Sequence, residues 1–299
     1  VAAERAGERL DWARDGAHWP NRASSRFVDA GGLRWHLQRS GPTHAPKVLL
    51  LHGTGAATHS WRGLAPLLAG AFDVVAPDLP GHGFTAMPRE SGLSLPAMAR
   101  SVGVLLRTLG ASPALIVGHS AGAAIGARMA LDGLASPRAL IALNGAFVAF
   151  GGLPGRIFSP AAQVLAGTRL APRLIARMAG GPAVLGRLLQ GTGSSIDAAG
   201  RAAYARLAAS PGHVAGALGM MARWDLAPLE RELPRLDCDL VLVVGADDPM
   251  VPPAQSDRIL GRVPRATRVV LPGLGHLAHE ERPDLVADLI LEVAARHGL

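Results

Sequence analysis

Gly118-His119-Ser120-Ala121-Gly122 follows directly on the apolar run Pro113-Ala114-Leu115-Ile116-Val117 and opens an alanine-rich, helix-favouring stretch that runs to about Leu131. A G-x-S-x-G set between a buried strand and a helix is a nucleophile elbow, a turn so sharp that its serine stands exposed above the sheet edge. Glycine and alanine crowd this turn (Gly118, Ala121, Gly122, Ala123, Ala124, Gly126) because larger side chains would collide in it. In a chain with 37 glycines the five-residue match alone carries little weight, and its strand-turn-helix setting supplies the rest.

Outward from the elbow, short apolar runs recur at spacings suited to strands alternating with helices. Lys47 to Leu51, Phe72 to Ala76, Ala114 to Val117, Ala139 to Leu143, Leu240 to Val244 and Thr267 to Leu271 read as strands buried on both faces, as in a parallel sheet. Arg26 to Asp29 and Arg34 to Gln38, separated by Gly31-Gly32, read as an antiparallel hairpin. Helices are expected at Trp61 to Ala69, Ser94 to Leu109, Ala121 to Leu131, Ala254 to Leu260 and Pro283 to His297. The alternation predicts a doubly wound α/β fold, with a mostly parallel eight-stranded sheet and helices on both of its faces.

From about Gly145 to Met221 that rhythm stops. No strand pattern is present, alanine is frequent, and Gly151-Gly152, Pro154-Gly155, Gly180-Gly181-Pro182 and Pro211-Gly212 punctuate the stretch. It reads as a helical insertion after the sixth strand. The expected organisation is an arm over 1–24, a core over 25–144 and 225–299, and a helical cap over 145–224.

The net charge of +7 is local. Between Asn144 and Trp224 stand eight arginines (156, 169, 173, 177, 187, 201, 206 and 223) and one acid, Asp197, while the remaining 22 basic and 22 acidic residues balance. Apolar content of 49% and a mean hydropathy of +0.24 are high, yet no run reaches the roughly 18 to 20 uninterrupted apolar residues of a membrane span. The charged N-terminal stretch lacks the apolar core of a signal peptide, and the lone Cys238 cannot form an internal disulfide, so a cytoplasmic location is expected. Cys238 stands between Asp237 and Asp239, whose charges disfavour a thiolate.

A nucleophilic Ser120 needs a base to take its proton and an acid to orient that base. In α/β-hydrolases, whose elbow this one resembles, the chain order is serine, acid, histidine, each just past a strand. The strand Leu240 to Val244 runs into Gly245-Ala246-Asp247-Asp248-Pro249-Met250-Val251-Pro252, and the strand Thr267 to Leu271 runs into Pro272-Gly273-Leu274-Gly275-His276-Leu277-Ala278-His279-Glu280, in the required order. His52, His82 and His119 have neither the H-x-x-x-H spacing nor the Cys/His clustering of a metal site, so neither metal nor cofactor is expected.

These loops resemble those of the α/β-hydrolase superfamily. Gly245, Asp248, Val251 and Pro252 are similar to its acid loop, and Gly275-His276 followed by Glu280 and Pro283 to its histidine loop. On that pattern Asp248 rather than Asp247 is the acid, His276 is the base, and His279 is a partly exposed residue at the start of a helix. The acid position used by some relatives, after the sixth strand, falls near Asn144, which cannot ionise. Leu51-His52-Gly53-Thr54-Gly55 resembles the H-G-x-G loop, which implies the Thr54 and Ala121 N–H groups as oxyanion donors. Asp78-Leu79-Pro80-Gly81-His82-Gly83 resembles the D-x-P-G-x-G turn, with a structural role. Beside the serine, His52, Gly53 and His119 are candidate substrate-contacting residues, His119 by packing and shaping the pocket.

The block His18 to Phe27, Gly31 to His36, His52 to Trp61 and Asp78 to Thr85 also resembles the magnesium-chelatase accessory proteins of bacteriochlorophyll biosynthesis, an α/β-hydrolase branch whose reaction the resemblance does not give. Two functions follow as expectations. One is an esterase-like serine hydrolase, with perhydrolase or carbon–carbon bond hydrolysis also open to a serine. Dehalogenase and epoxide-hydrolase schemes use an aspartate nucleophile, so Ser120 argues against both. The other is a non-catalytic module that grips a porphyrin and presents it to magnesium chelatase. In this superfamily the insertion after the sixth strand is a lid. Here Arg169, Arg173 and Arg177, at i, i+4 and i+8, would share a helical face unless Pro172 breaks it. Three readings of these arginines are open: a solvated face, pairing with the carboxylates of an anionic tetrapyrrole, or peripheral contact with an anionic photosynthetic membrane. Nucleic acid is not expected, because aromatics are sparse and no recognition motif is present.

Overall fold

Strict alternation along the central strands sends successive apolar side chains to opposite faces of one sheet. In β3 (Lys47–Leu51) Val48 and Leu50 join one apolar layer and Leu49 and Leu51 the other, all four fully buried. The computed structural model describes residues 8–148, 168 and 170–299. The other strands are β1 (Ser25–Ala30), β2 (Leu33–Ser40), β4 (Asp73–Pro77), β5 (Leu115–His119), β6 (Ala139–Leu143), β7 (Asp239–Gly245) and β8 (Ala266–Leu271). They form an eight-stranded sheet in the order β1-β2-β4-β3-β5-β6-β7-β8. The hairpin β1–β2 and the pair β2–β4 are antiparallel, and every pair from β4 to β8 is parallel. Gly31 and Gly32 both take positive φ (59° and 76°), which gives the hairpin turn the twist of its strands.

The helices are α1 (Trp12–Asp15), α2 (Leu64–Leu68), α3 (Leu95–Thr108) and α4 (Ala121–Leu131), then α5 (Ala171–Ala179), α6 (Pro182–Gln190), α7 (Ala198–Ala208), α8 (Pro211–Ala222) and α9 (Ala227–Glu232) between β6 and β7, and last α10 (Ala254–Leu260), α11 (Ala278–Glu281) and α12 (Pro283–Arg296). Met98, Val102 and Leu105 of α3, Ile125 and Met129 of α4 and Leu229 of α9 cover the layer of Leu49, Ile116, Leu140 and Leu242. Leu64 and Leu68 of α2 with Val286, Ile290 and Val293 of α12 cover the layer of Leu50, Val117, Ile141 and Val243. Each fully buried leucine or valine contributes roughly 1.5–3 kcal/mol by removal from water. Helix α2 is shorter than Trp61 to Ala69: Thr58–Trp61 forms a 3₁₀ turn and Gly63 precedes the helix proper.

The insertion after β6 is helical in its described part. Helix α5 begins at Ala171 with Pro172 in its first turn, where a missing N–H costs no helical bond, so Pro172 starts this helix rather than breaking it. The arm before β1 is tied to both parts. Trp19 Nε1 donates to Thr58 Oγ1 at 3.0 Å, and the Trp12 ring meets Phe84 edge-on at 5.0 Å. The Glu8 carbonyl accepts from Gly212 N–H at 2.7 Å, at the start of α8.

Candidate active site

The C-terminal ends of β5, β6, β7 and β8 lie side by side, and the loops that leave them carry Ser120, Asn144, Asp248 and His276. Ser120 has φ 50° and ψ −117°, a conformation that non-glycine residues hold only where the surroundings over-determine it. Its N–H continues the β5–β6 ladder to the Leu143 carbonyl at 3.0 Å. Two positions later, a Cβ on Gly122 would sit 2.0 Å from the Leu51 carbonyl oxygen, so only glycine lets α4 leave the elbow this close to β3.

Asp248, 3% exposed, brings Oδ2 to 2.8 Å from His276 Nδ1. The same oxygen accepts from Asn144 Nδ2 at 2.6 Å, and Oδ1 accepts from the Met250 and Val251 N–H groups at 2.7 and 3.0 Å. Four donors thus fix the orientation of the carboxylate. Asp247 is exposed, and only its backbone is used, with its N–H donating to the Leu274 carbonyl at 3.0 Å. The His276 backbone is held from the insertion, by the Thr192 carbonyl at 2.9 Å, and the next N–H, of Leu277, donates to Ser194 Oγ at 2.9 Å. Behind it, His119 Nε2 donates to the His276 carbonyl at 2.9 Å with ring centres 4.7 Å apart. A carbonyl only accepts, so the His119 proton sits on Nε2. Burial and then the neighbouring histidines His279 and His276 keep this ring well below the usual histidine range.

The two peptide planes that carry the candidate oxyanion donors are pinned through their carbonyls. His52 Nδ1 donates to the Gly53 carbonyl at 2.8 Å, and a trans peptide then aims the Thr54 N–H the opposite way. The Ser120 carbonyl accepts from Ala146 N–H at 3.1 Å, which orients Ala121 N–H at the first residue of α4. Among the described residues neither the Thr54 nor the Ala121 N–H donates to a protein acceptor. An N–H pair held rigid and unspent, one of the two at a helix start, suits an anion.

A profile of the alpha/beta hydrolase fold matches residues 46–283. The chain belongs to the α/β-hydrolase family. Over 276 residues, 92% of this chain and 96% of the relative, this family member is 38% identical to the magnesium-chelatase 30 kDa subunit of Rhodobacter capsulatus. Among solved structures it is similar to epoxide hydrolase CorEH (TM-score 0.77, 21% identity, 91% of this chain and 98% of that one). It is also similar to Cfl2 of Burkholderia cenocepacia (TM-score 0.75, 22% identity, 90% and 95%). At such identities the likeness concerns the fold, an α/β-hydrolase core with helices inserted after β6.

Within this α/β-hydrolase two expectations need correction. His52 is fully buried, and its Nε2 accepts from Leu79 N–H at 2.9 Å while Nδ1 is spent on Gly53, so it builds the loop and offers nothing to a substrate. Gly53, by contrast, lies where a Cβ would come within 2.9 Å of the His119 ring and 3.1 Å of Ser120 Cβ. His279 is 1% exposed rather than partly exposed: its Nε2 meets Ser60 Oγ at 2.7 Å and its ring lies 4.5 Å from that of His119. Burial, with the charge of neighbouring His276 and Arg62, pushes its pKa down to about 3. Asp78 is structural, accepting from Thr58 N–H (2.7 Å) and Phe84 N–H (2.9 Å) and pairing with His36 at 2.8 Å. Arg173 pairs with Glu8 of the arm, Arg177 is exposed, and Arg169 lies outside the described residues. Cys238 is buried, and that burial pushes its thiol up to about 11, with Asp239 and Asp237 adding to the effect.

Three further residues shape the site through partners distant in the chain. Asn144, at φ 48°, is one of the four donors to Asp248. Glu280 is buried against Arg62, Ser60 Oγ (2.8 Å) and Tyr204 Oη (2.7 Å), and its pKa is raised because desolvation outweighs Arg62. His213 of α8 accepts from Gly83 N–H through Nδ1 (3.0 Å) and donates from Nε2 to the Gly55 carbonyl (3.0 Å), bridging the D-x-P-G-x-G turn and the H-G-x-G loop.

Proposed function

We propose that this chain is a serine hydrolase that cleaves an ester-type carbonyl. The observation that carries the reading is the Asp248–His276 pair at 2.8 Å, together with a serine held at positive φ on an elbow whose preceding residue, His119, donates to the His276 carbonyl. Ser120 Oγ attacks the carbonyl carbon as His276 Nε2 takes its proton. The tetrahedral oxyanion rests on the Thr54 and Ala121 N–H groups, and collapse expels the leaving group, which receives the proton from His276. Water, deprotonated by His276, then cleaves the acyl-serine and regenerates the hydroxyl. Asp248 keeps the proton of resting His276 on Nδ1 and stabilises the imidazolium. His119 and His52 act through others, one on the His276 backbone and one on the Gly53–Thr54 plane.

Labelling by a fluorophosphonate probe tests this. Wild type reacts, while Ser120→Ala does not and His276→Ala slows by about 10³-fold or more. Labelling that survives Ser120→Ala overturns the assignment.

Full-length similarity to a magnesium-chelatase subunit favours a substrate of the pigment-synthesis class, a tetrapyrrole or its ester, and gives a second reading: a tetrapyrrole-binding accessory protein for magnesium chelatase, at work near the photosynthetic membrane. Titration of the Ser120→Ala protein with protoporphyrin separates the two. A spectral shift together with absent probe labelling in wild type favours the accessory role, and labelling with no shift favours a hydrolase of another ester.

A further inference from the structure

On α5 the apolar surface is wider than the described residues cover. At 100° per residue, Pro172, Ala176 and Ala179 occupy the buried side, and Ile175 is half-buried next to them. The apolar arc then continues outward through Met178, Leu174 and the N-cap residue Leu170, which are 58%, 61% and 71% exposed. Arg177 and Arg173 close the arc on its far border, both exposed. Helix α6 adds to the same kind of surface: Leu185 and Leu189 are buried while Leu188 is 57% exposed, with exposed Arg187 adjacent. Among the described residues Arg177 and Arg187 have no carboxylate partner, and Arg173 has Glu8. The single acid between Asn144 and Trp224, Asp197, is spent on Arg62 of the core at 2.8 Å.

We propose that the α5–α6 face docks on an anionic lipid surface, with Leu170, Leu174, Met178 and Leu188 entering the acyl boundary and Arg177 and Arg187 at the phosphate level. An amphipathic helix with exposed leucines on one side and, among the described residues, an arginine without a carboxylate partner on its border has the chemistry of a helix that lies in a membrane interface. From 170 to 190 the sequence holds three arginines and no acidic residue, so the face is complementary in charge to an anionic lipid surface. No described helix is long and apolar enough to cross a bilayer, so the contact is peripheral. The proposal goes beyond the hydrolase reading and does not depend on it.

Co-sedimentation of the full chain with vesicles tests it, and its readout does not involve Ser120. Phosphatidylglycerol-containing vesicles should bind roughly 25-fold more protein than pure phosphatidylcholine vesicles, at about fivefold per arginine, and added salt should erase the preference. The double variant Leu174→Gln/Met178→Gln should lose about tenfold in binding, and Arg177→Gln/Arg187→Gln should lose the phosphatidylglycerol preference, with thermal stability and fluorophosphonate labelling retained. Absence of binding to either vesicle, equal binding by wild type and the apolar variant, or a concentration-dependent dimer in ultracentrifugation that Leu174→Gln/Met178→Gln abolishes would each overturn it; the dimer would assign the face to a second copy of this chain.

Discussion

The two halves of the described helices inserted after β6 are built to opposite rules. Helices α7 and α8 are bonded to the core through buried polar groups: Tyr204 to Glu280, His213 to Gly83 and Gly55, and Thr54 Oγ1 to Met220 Sδ at 3.4 Å. Gly216 of α8 lies so close that a Cβ there would sit 2.1 Å from the Gly81 carbonyl oxygen. Helices α5 and α6, by contrast, turn leucine, methionine and arginine outward. The inner half therefore fixes the loop that carries Thr54, and among the described residues of the insertion the large apolar side chains turned outward all lie in the outer half. An insertion that reads as one helical stretch divides into a scaffold and a contact surface.

The largest expected effect on this contrast comes from Arg62→Ala. It strips the buried Glu280 carboxylate of its cation and should cost about 3–5 kcal/mol in denaturant unfolding. The double variant Arg62→Ala/Glu280→Gln should recover part of that loss, because no buried charge is then left unpaired. No recovery would mean that Arg62 acts by packing alone.

Acid should loosen the inner half next. Burial pushes His213 down to about 4 from 6.5, so its neutral form stabilises the fold fully above about pH 6.5, and that contribution, roughly 3 kcal/mol, is lost as pH falls toward 4. Stability measured against pH should decline through that window more steeply in wild type than in His213→Gln, which has no proton to bind. Parallel profiles would remove His213 from the account.

A smaller effect is expected of Gly216→Ala, about 1–3 kcal/mol by overpacking against backbone that cannot move aside, read as a lowered Tm and slower fluorophosphonate labelling together. Smallest is Leu174→Gln on the outer half, within about 0.5 kcal/mol in Tm-derived stability, since its side chain is already in water. A large loss there would erase the distinction between the halves.

Much of the core was legible because its determinants are local. Strand-length apolar runs, the Gly31-Gly32 turn and the small residues around Ser120 act over a few residues, so their order in the chain sufficed to predict the sheet and the ends from which Ser120, Asp248 and His276 emerge. The acid-loop resemblance chose Asp248 over Asp247, and the coordinates add the physical difference between these neighbours: the loop turns Asp248 to His276 and leaves Asp247 exposed. His279 was misread for a related reason: a histidine at a helix start gives no local sign of burial under residues 219 positions away, as with Ser60.

By itself, then, the amino-acid order determined the alternating α/β core, the elbow and the concentration of arginine in one insertion, since each depends on residues near one another in the chain. Tertiary structure alone decided which buried groups meet. Asn144 and Asp248 are 104 residues apart, His213 and Gly83 130, and Arg62 and Glu280 218. Such pairs are selected by packing, which excludes water and leaves each polar group the partner that geometry supplies. The same packing chose which leucines of the insertion would be left facing outward.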